Sequence, residues 1–282
     1  MGGEIVNFDS VQVYRGFDVG SAKTPEAERG GIPHHLIDVL EPTEVFSAGE
    51  FARRARTVLE ELRKRGTTPV LVGGTGFYLR ALLTGLFDGP GRDQMLRRRL
   101  EQTAGRKPAG YLHRLLGKYD PASAKKIHPN DQPKLVRALE VCLLEGAPRS
   151  TVLDRGLEPL EGFEIVRIGL DPPRERLYER INERARRMFE TGLVEEVRGL
   201  LGAGVPREAW PLQALGYRQA LAAIDGELTV DEAIEETALK TRRYAKRQRT
   251  WFRRQEPETD WVGDFGGSAA AWGAVERAVR GG

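Results

Sequence analysis

Two short β-prone runs, Glu4-Ile5-Val6-Asn7-Phe8 and Pro69-Val70-Leu71-Val72, are separated by a segment whose apolar residues fall at helical spacing. That segment opens at Ser47 with Glu50 three residues on, a capping-box pattern. It carries Phe51, Ala55, Val58, Leu59 and Leu62 on one stripe and stops at Gly66. Strand, helix and strand in this order restrict the chain to a parallel sheet covered by helices, an α/β fold. Leu36-Ile37-Asp38-Val39 reads as another short strand, and the 69–72 run as a buried one. Gly73-Gly74-Thr75-Gly76 then turns the chain into a further helix from Phe77 to Leu83. In open parallel sheets ligands gather at the carboxyl ends of the strands. Asp9-Ser10 and the 73–76 turn both fall there.

The β signal vanishes between 92 and 150, where helical patterns alternate with turn signals at Gly105, Pro108, Gly117, Asp120-Pro121 and His128-Pro129-Asn130. The expected organisation is therefore an α/β core made of 1–91 and 160–282, interrupted by a helical insertion at 92–159. A strand returns over 163–170, and Asp171-Pro172 reads as the N-cap and first turn of a helix. Helices are expected over 173–190, 193–203, 213–224 and 230–254, the last opened by a Thr229/Glu232 capping box. The tail after Gly263 is weakly patterned and is expected to be mobile.

Composition narrows the function. No run of about 18 apolar residues is present, so no membrane-spanning helix is expected. The first residues, Met-Gly-Gly-Glu-Ile-Val-Asn, have neither the basic nor the apolar part of a secretion signal. A single cysteine, Cys142, forms no internal disulfide, which suits a reducing cytoplasm, and its neighbours make it a small core residue. His34, His35, His113 and His128 are too few for a His-rich metal centre, and the 34–35 pair reads as structural. The net charge is only +3, but residues 240–254, KTRRYAKRQRTWFRR, hold eight Lys or Arg, no acid and three aromatics. Cations interleaved with aromatics suit RNA, whose phosphates pair and whose unstacked bases stack; a solvated helix face is the alternative.

Three elements offer chemistry. Asp9 at a strand end fits a general base, a ligand of metal-bound water, or a turn cap. The 73–76 glycines allow backbone to approach a phosphate or nucleobase closely, or form a tight turn. The helix from 173 aligns Arg176, Arg180 and Arg184 on one stripe beside Glu175, Glu179 and Glu183, with Leu177, Ile181, Met188 and Phe189 as its buried face. An arginine there that faces the sheet crevice is placed to bind a phosphate group; a salt-bridged exposed helix is the other reading. No G-x-x-x-x-G-K-[ST] phosphate loop occurs in the sequence.

The strings GGEIVNFDSVQVYRGFDVGSAKTP, PHHLIDV, PVLVGGTGFYLRALLTGL, ARRMFETGLVEEVRGLLGAG, ALGYRQ and AKRQRTWFRR, in this order, resemble the tRNA dimethylallyltransferase (tRNA isopentenyltransferase) family. The resemblance implies a fold like that of P-loop kinases, with a helical insertion that grips the anticodon arm. It implies transfer of a dimethylallyl group from dimethylallyl diphosphate to N6 of the adenosine 3′ of the anticodon, with Mg²⁺, in the cytoplasm, by a monomer. Asp9 corresponds to the base at N6 and Arg184 to the diphosphate-binding arginine. Ser10, Val11, Gln12 and Thr75 correspond to contacts with the target nucleotide, and Arg97, Lys134 and Arg137 to contacts of the insertion with tRNA. Gln213, Gly216, Tyr217 and Arg218, then Lys246, Arg247, Gln248, Arg249, Trp251 and Arg253, correspond to further RNA-contacting segments.

Two departures follow from the comparison. Pro133-Lys134 stands at the family's Gln-Arg, which keeps a charge but loses the planar fork of arginine. The family's G-P-T-[AG]-[SV]-G-K-[ST] loop, 20–25 residues ahead of the part matching Gly2-Gly3-Glu4, is not in this sequence, which points to a late start or a cut chain. The alternatives are a non-catalytic tRNA-binding relative and an enzyme that prenylates free adenine nucleotides.

Overall fold

Val6, fully buried as the fourth residue of a five-residue strand, anchors the sheet. In the computed structural model, which describes residues 2–86, 89–152 and 158–280, β1 (Gly3–Asn7) lies between β2 (His34–His35) and β3 (Thr68–Val72), and both pairings are parallel. Ile5 is in register with His34 on one side and Val70 on the other. Glu4 is tied to His35 at 2.6 Å and to Arg65 at 2.9 Å, so the histidine pair is structural. Two expectations change here. The 36–39 strand is absent because Leu36 and Asp38 adopt left-handed backbone, φ 59° and 54°. The 69–72 strand is an edge rather than a buried strand: Val70 and Val72 are 46% and 50% exposed, since β3 pairs only with β1 among the described residues.

The crossover helix α1 (Ala48–Lys64) buries Phe51, Ala55, Leu59 and Leu62. Ser47 accepts from the Glu50 backbone N at 3.1 Å, but the Glu50 carboxylate turns to Arg53 and Arg54 instead of closing the box. The ring of Phe51 stacks on Tyr78 of α2 (Gly76–Thr84) with centroids 4.7 Å apart.

The chain forms two compact units, Met1–Leu82 with Glu161–Gly282, and Leu83–Leu160. The second holds α3 (Gln94–Arg106), α4 (Tyr111–Tyr119), α5 (Pro121–Lys126), α6 (Gln132–Glu145) and α7 (Arg149–Val152). Asp93, Asp120 and Asp131 cap α3, α5 and α6, each accepting a backbone N–H three residues on. Leu100, Leu112, Leu116, Leu135, Val136, Leu139 and Cys142 fill its core. Residues 153–157 of the expected insertion lie outside the described residues.

After the return, β4 (Ile168–Leu170) pairs in parallel with β5 (Asp260–Val262). Between them run α8 (Arg174–Glu190), α9 (Leu193–Gly202), α10 (Tyr217–Ile224) and α11 (Val230–Gln255). The Thr229/Glu232 box on α11 is closed in both directions. Asp171 does not cap α8, whose N-cap is Pro173; its carboxylate goes to two arginines of α11. The tail is not free either. It follows β5 and forms α12 (Ala269–Arg280), whose Ala271 and Ala274 pack with Val262 and Ile168. No described helix is long and apolar enough to cross a membrane.

Candidate functional site

The carboxyl ends of β1 and β3 bring Asp9 and Thr75 together. Asn7, buried, donates to the Leu36 carbonyl at 3.0 Å and accepts from the Asp9 N–H at 3.1 Å. Asp9 Oδ1 then accepts the N–H groups of Val11 at 2.7 Å and Gln12 at 3.2 Å. This is an Asx-type turn. The Ser10 N–H donates to Thr75 Oγ1 at 3.1 Å, which ties the turn to the 73–76 segment. Asp9 is thus a turn former through one oxygen, while its second oxygen has no hydrogen-bond partner among the described residues.

Arg184 of α8 reaches the same place. Its Nη2 donates to the Ser21 carbonyl at 3.3 Å, and Gln12 Nε2 donates to that carbonyl at 3.1 Å. Desolvation by the surrounding protein holds the Arg184 guanidinium below its ordinary value, and the negative Asp9 opposes this. Tyr244 of α11 is pushed up by desolvation and by the charge of Asp9. Arg184 and Tyr244 are both solvent-accessible, yet both are surrounded by protein and feel Asp9. Those are the properties of side chains lining a recess.

A buried frame fixes this loop. Lys23, 3% exposed, donates to the Tyr14 carbonyl at 2.9 Å and pairs with Asp18 at 2.6 Å and Asp38 at 2.5 Å. Glu196 of α9 accepts the N–H groups of Asp18, Val19 and Gly20 at 3.1, 2.7 and 3.4 Å, and the Tyr217 hydroxyl at 2.6 Å. Burial pushes that hydroxyl's pKa up, and Glu196 adds to the effect. A side chain at Gly20 would come within 2.5 Å of the Tyr217 ring, so only glycine fits. Sequence reading missed Lys23 and Glu196; nothing near them in the chain marks their partners.

The 73–76 glycines open space for the protein itself. A Cβ on Gly73 would strike Phe8, one on Gly74 would meet Gln248 Nε2 at 2.5 Å, and one on Gly76 would meet the Trp251 ring at 2.3 Å. Gln248 donates to the Gly74 carbonyl at 2.9 Å. Arg249 and Arg253 bind the Asp171 carboxylate at 2.9 and 2.5 Å, and Arg253 lies 4.9 Å over the Trp261 ring. Four of the six expected RNA contacts on α11 therefore hold the strand ends. Lys246 and Arg247 stay exposed, Arg247 resting 5.8 Å over the Tyr244 ring.

The remaining expected residues scatter. Gln213 donates to the Arg207 carbonyl at 3.0 Å. Gly216 is the buried N-cap of α10 and Tyr217 is fully buried, so neither meets solvent, whereas Arg218 is exposed. Arg176 and Arg180 lie over Phe265 at 5.4 and 4.6 Å, away from Arg184's role. In the helical unit, Lys134 is exposed and pairs with Asp131 at 2.5 Å. Arg97 and Arg137 converge on Glu140 at 3.3 and 2.8 Å.

A Mg²⁺ ion wants six oxygens in near-octahedral order. Among the described residues no three His, Cys, Asp or Glu side chains converge, and at Asp9 one oxygen is already committed to the turn. The described residues therefore form no all-protein cage, while the uncommitted Asp9 oxygen is the kind of single carboxylate ligand that Mg²⁺ takes together with water and substrate phosphates. What the recess offers is an uncommitted carboxylate oxygen, able to accept a proton, beside a guanidinium able to bind a polyanion.

A family model described as IPP transferase matches residues 12–255. A tRNA dimethylallyltransferase of Solibacter usitatus is 56% identical over 264 residues, covering 94% of this chain and 85% of the relative. That of Koribacter versatilis is 53% identical over 279 residues, covering 99% and 90%. The crystal structure of the full-length tRNA isopentenylpyrophosphate transferase of Bacillus halodurans superposes with a TM-score of 0.69 at 38% identity, covering 99% of this chain and 88% of that one. A eukaryotic dimethylallyltransferase acting on tRNA gives a TM-score of 0.77 at 26% identity, covering 98% and 71%.

Proposed function

As a member of the tRNA dimethylallyltransferase family, the chain is a prenyltransferase of tRNA modification, and we propose that Asp9 is the group that accepts the proton from its acceptor amine. The reaction joins a dimethylallyl group, delivered as its diphosphate, to N6 of the adenosine 3′ of the anticodon. The observation that carries the assignment is the Ser10–Thr75 bond at 3.1 Å, which holds Asp9 at the strand ends with one carboxylate oxygen uncommitted.

The adenine N6 amine is a weak nucleophile, because its lone pair is delocalised into the ring. As N6 attacks the allylic carbon, the C–O bond to diphosphate breaks and N6 must lose a proton. The free oxygen of Asp9 accepts it, an effect typically of about 10²–10⁴-fold. Arg184, aligned by the Ser21 carbonyl, faces the charge that develops on the leaving diphosphate. Gln12, on the same carbonyl, keeps the nucleotide-facing turn and the arginine in one geometry. The base has to leave its stack to enter the recess. Lys246 and Arg247 meet backbone phosphates in this reading. Mg²⁺ is what the family resemblance implies; the described residues form no cage for it, and no step is assigned to it. The place of action is the cytoplasm, where tRNA is, and the enzyme acts as a monomer.

The test is incubation of the full-length protein with dimethylallyl diphosphate and an anticodon stem-loop RNA, with mass spectrometry of the digested nucleosides. Gain of one five-carbon unit on the adenosine 3′ of the anticodon supports the reading. An RNA carrying N6,N6-dimethyladenosine there must stay unmodified. Modification of free AMP in preference to the RNA would overturn the tRNA assignment, and binding without transfer would leave a binding protein only.

A further inference from the structure

Glu140 is 0% exposed and stands between Leu139 and Val141, themselves fully buried. A carboxylate in such a position is unfavourable unless every oxygen is paired, and an apolar residue of similar size fills the same space without that penalty. Its partners are specific. Oε1 accepts the Asp93 N–H at 2.8 Å. Oε2 accepts from Arg137 Nη1 at 2.8 Å and from Arg97 Nη1 at 3.3 Å. Asp93 caps α3 one turn before Arg97, so Glu140 fixes both the start of α3 and the guanidinium that follows it. Arg137 also donates to the Pro90 carbonyl at 2.8 Å, which leaves it little rotational freedom.

A third arginine stands by. The Arg149 N–H meets Cys142 Sγ at 3.4 Å, which sets the start of α7 against α6. Its guanidinium has no hydrogen-bond partner among the described residues. Desolvation holds it below its ordinary value and the like charge of Arg137 adds to this; Asp120 attracts it, though the Asp120 oxygens are taken by Ser123 and Ser150. Arg97 and Arg137 remain 22% and 30% exposed, so the cluster opens to solvent on one side. Guanidiniums fixed this way, in excess over the acids facing them, match the fork geometry of a phosphate.

We propose that Glu140 is a positioning residue that sets Arg97 and Arg137, with Arg149 beside them, as a preformed cradle for one phosphate of the tRNA backbone. The proposal rests on the tRNA reading above. Two roles make opposite forecasts for Glu140→Gln. If the acid only dilutes positive charge, removing it strengthens RNA binding. If it positions, the guanidiniums lose their anchor and binding weakens.

The experiment measures stem-loop RNA affinity against salt, with kcat and KM for transfer, in the full-length protein and in Glu140→Gln, Arg137→Lys and Arg149→Ala. Expected are a several-fold rise in KM for RNA with the loss falling on KM rather than kcat, and a slope of log K against log salt reduced by about 1 in Arg149→Ala. Arg137→Lys, which keeps the charge but not the fork, must show the KM rise as well. It also decides the matter if Glu140→Gln fails to fold. Unchanged KM and slope in the folded variants, or tighter binding in Glu140→Gln, overturns the proposal while wild-type transfer still stands. No salt-dependent RNA binding by the wild type would instead remove the tRNA reading itself.

Discussion

Asp9 has two jobs on two oxygens, and two substitutions separate them. In Asp9→Asn the side-chain carbonyl still accepts the Val11 and Gln12 N–H groups now held at 2.7 and 3.2 Å. The turn survives, but the proton acceptor is gone. The expected loss is about 10²–10⁴ in kcat, equivalent to about 2.7–5.4 kcal/mol at about 1.36 kcal/mol per decade. Thermal stability should stay within about 0.5 kcal/mol of wild type. Asp9→Ala removes both functions. Two backbone donors then lose their acceptor at about 1–3 kcal/mol each when fully buried. This turn is half-exposed, so water recovers part and a total of roughly 1–3 kcal/mol is expected. At about 2–4 °C per kcal/mol for a chain of this size class, the alanine variant melts several degrees lower. The assay is single-turnover transfer of labelled dimethylallyl to an anticodon stem-loop, run beside calorimetric melting. Wild-type turnover in Asp9→Asn would refute the proton-acceptor role. Equal melting of the alanine and asparagine variants would refute the turn role.

Other consequences follow from the same geometry. Gly76→Ala places a methyl 2.3 Å from the Trp251 ring, and overpacking of this kind should destabilise by about 1–3 kcal/mol; a melting temperature equal to wild type would mean that α11 is not seated on the glycine turn. Replacing Lys246 and Arg247 together by alanine should lower the salt slope of RNA binding by about 2, whereas Arg249→Ala, whose guanidinium is already bound by Asp171, should leave the slope nearly unchanged. Asp120 is buried, which raises its pKa, but hydrogen bonds from Ser123 and Ser150 outweigh this and hold it below the usual carboxylate range. A depressed carboxyl stabilises the fold above its unfolded pKa of about 3.9 and loses that contribution as pH falls through the lower folded value. Helical circular dichroism of Ser150→Ala should therefore begin to melt at higher pH than wild type during acid titration, and coincident acid transitions would contradict the assignment.

What the sequence discloses and what it hides divide along the distance between partners. The stripe of α1, the caps at Ser47 and Thr229, and the helices from 174 to 255 follow from neighbours three or four residues apart, and the structure places them where the pattern does, except that the helix expected over 213–224 begins only at Tyr217. The tail failed for a related reason. Alanine is the best helix former yet contributes little to an apolar stripe, so Ala269–Arg280 reads as unpatterned although it packs two alanines against β5. Asp9, Thr75 and Arg184 were legible through their place in motifs, but the frame around them was not. Glu196 meets Val19 across 177 positions and Gln248 meets Gly74 across 174, and no local pattern encodes such a pairing.

The basic block makes the same point about charge. Counting residues 240–254 gives eight cations and no acid, which reads as a polyanion site or a solvated face. The count omits Asp171, 78 and 82 positions from the arginines it binds, and it omits the glycines into which Gln248 and Trp251 fit. Residues 248–253 of this helix therefore close the carboxyl ends of β3 and β4. The turn before them keeps Lys246 and Arg247 outward and brings Tyr244 within range of Asp9. A cation run on a helix has at least two faces, and here Arg249 and Arg253 share the Asp171 carboxylate while Lys246 and Arg247 point outward. The same sorting reassigns the arginines of α8. Arg176 and Arg180 lie on Phe265, and Arg184 alone of the three reaches the Ser21 carbonyl beside Asp9. Residue type and spacing nominate such groups; the partners each one already holds set where it points.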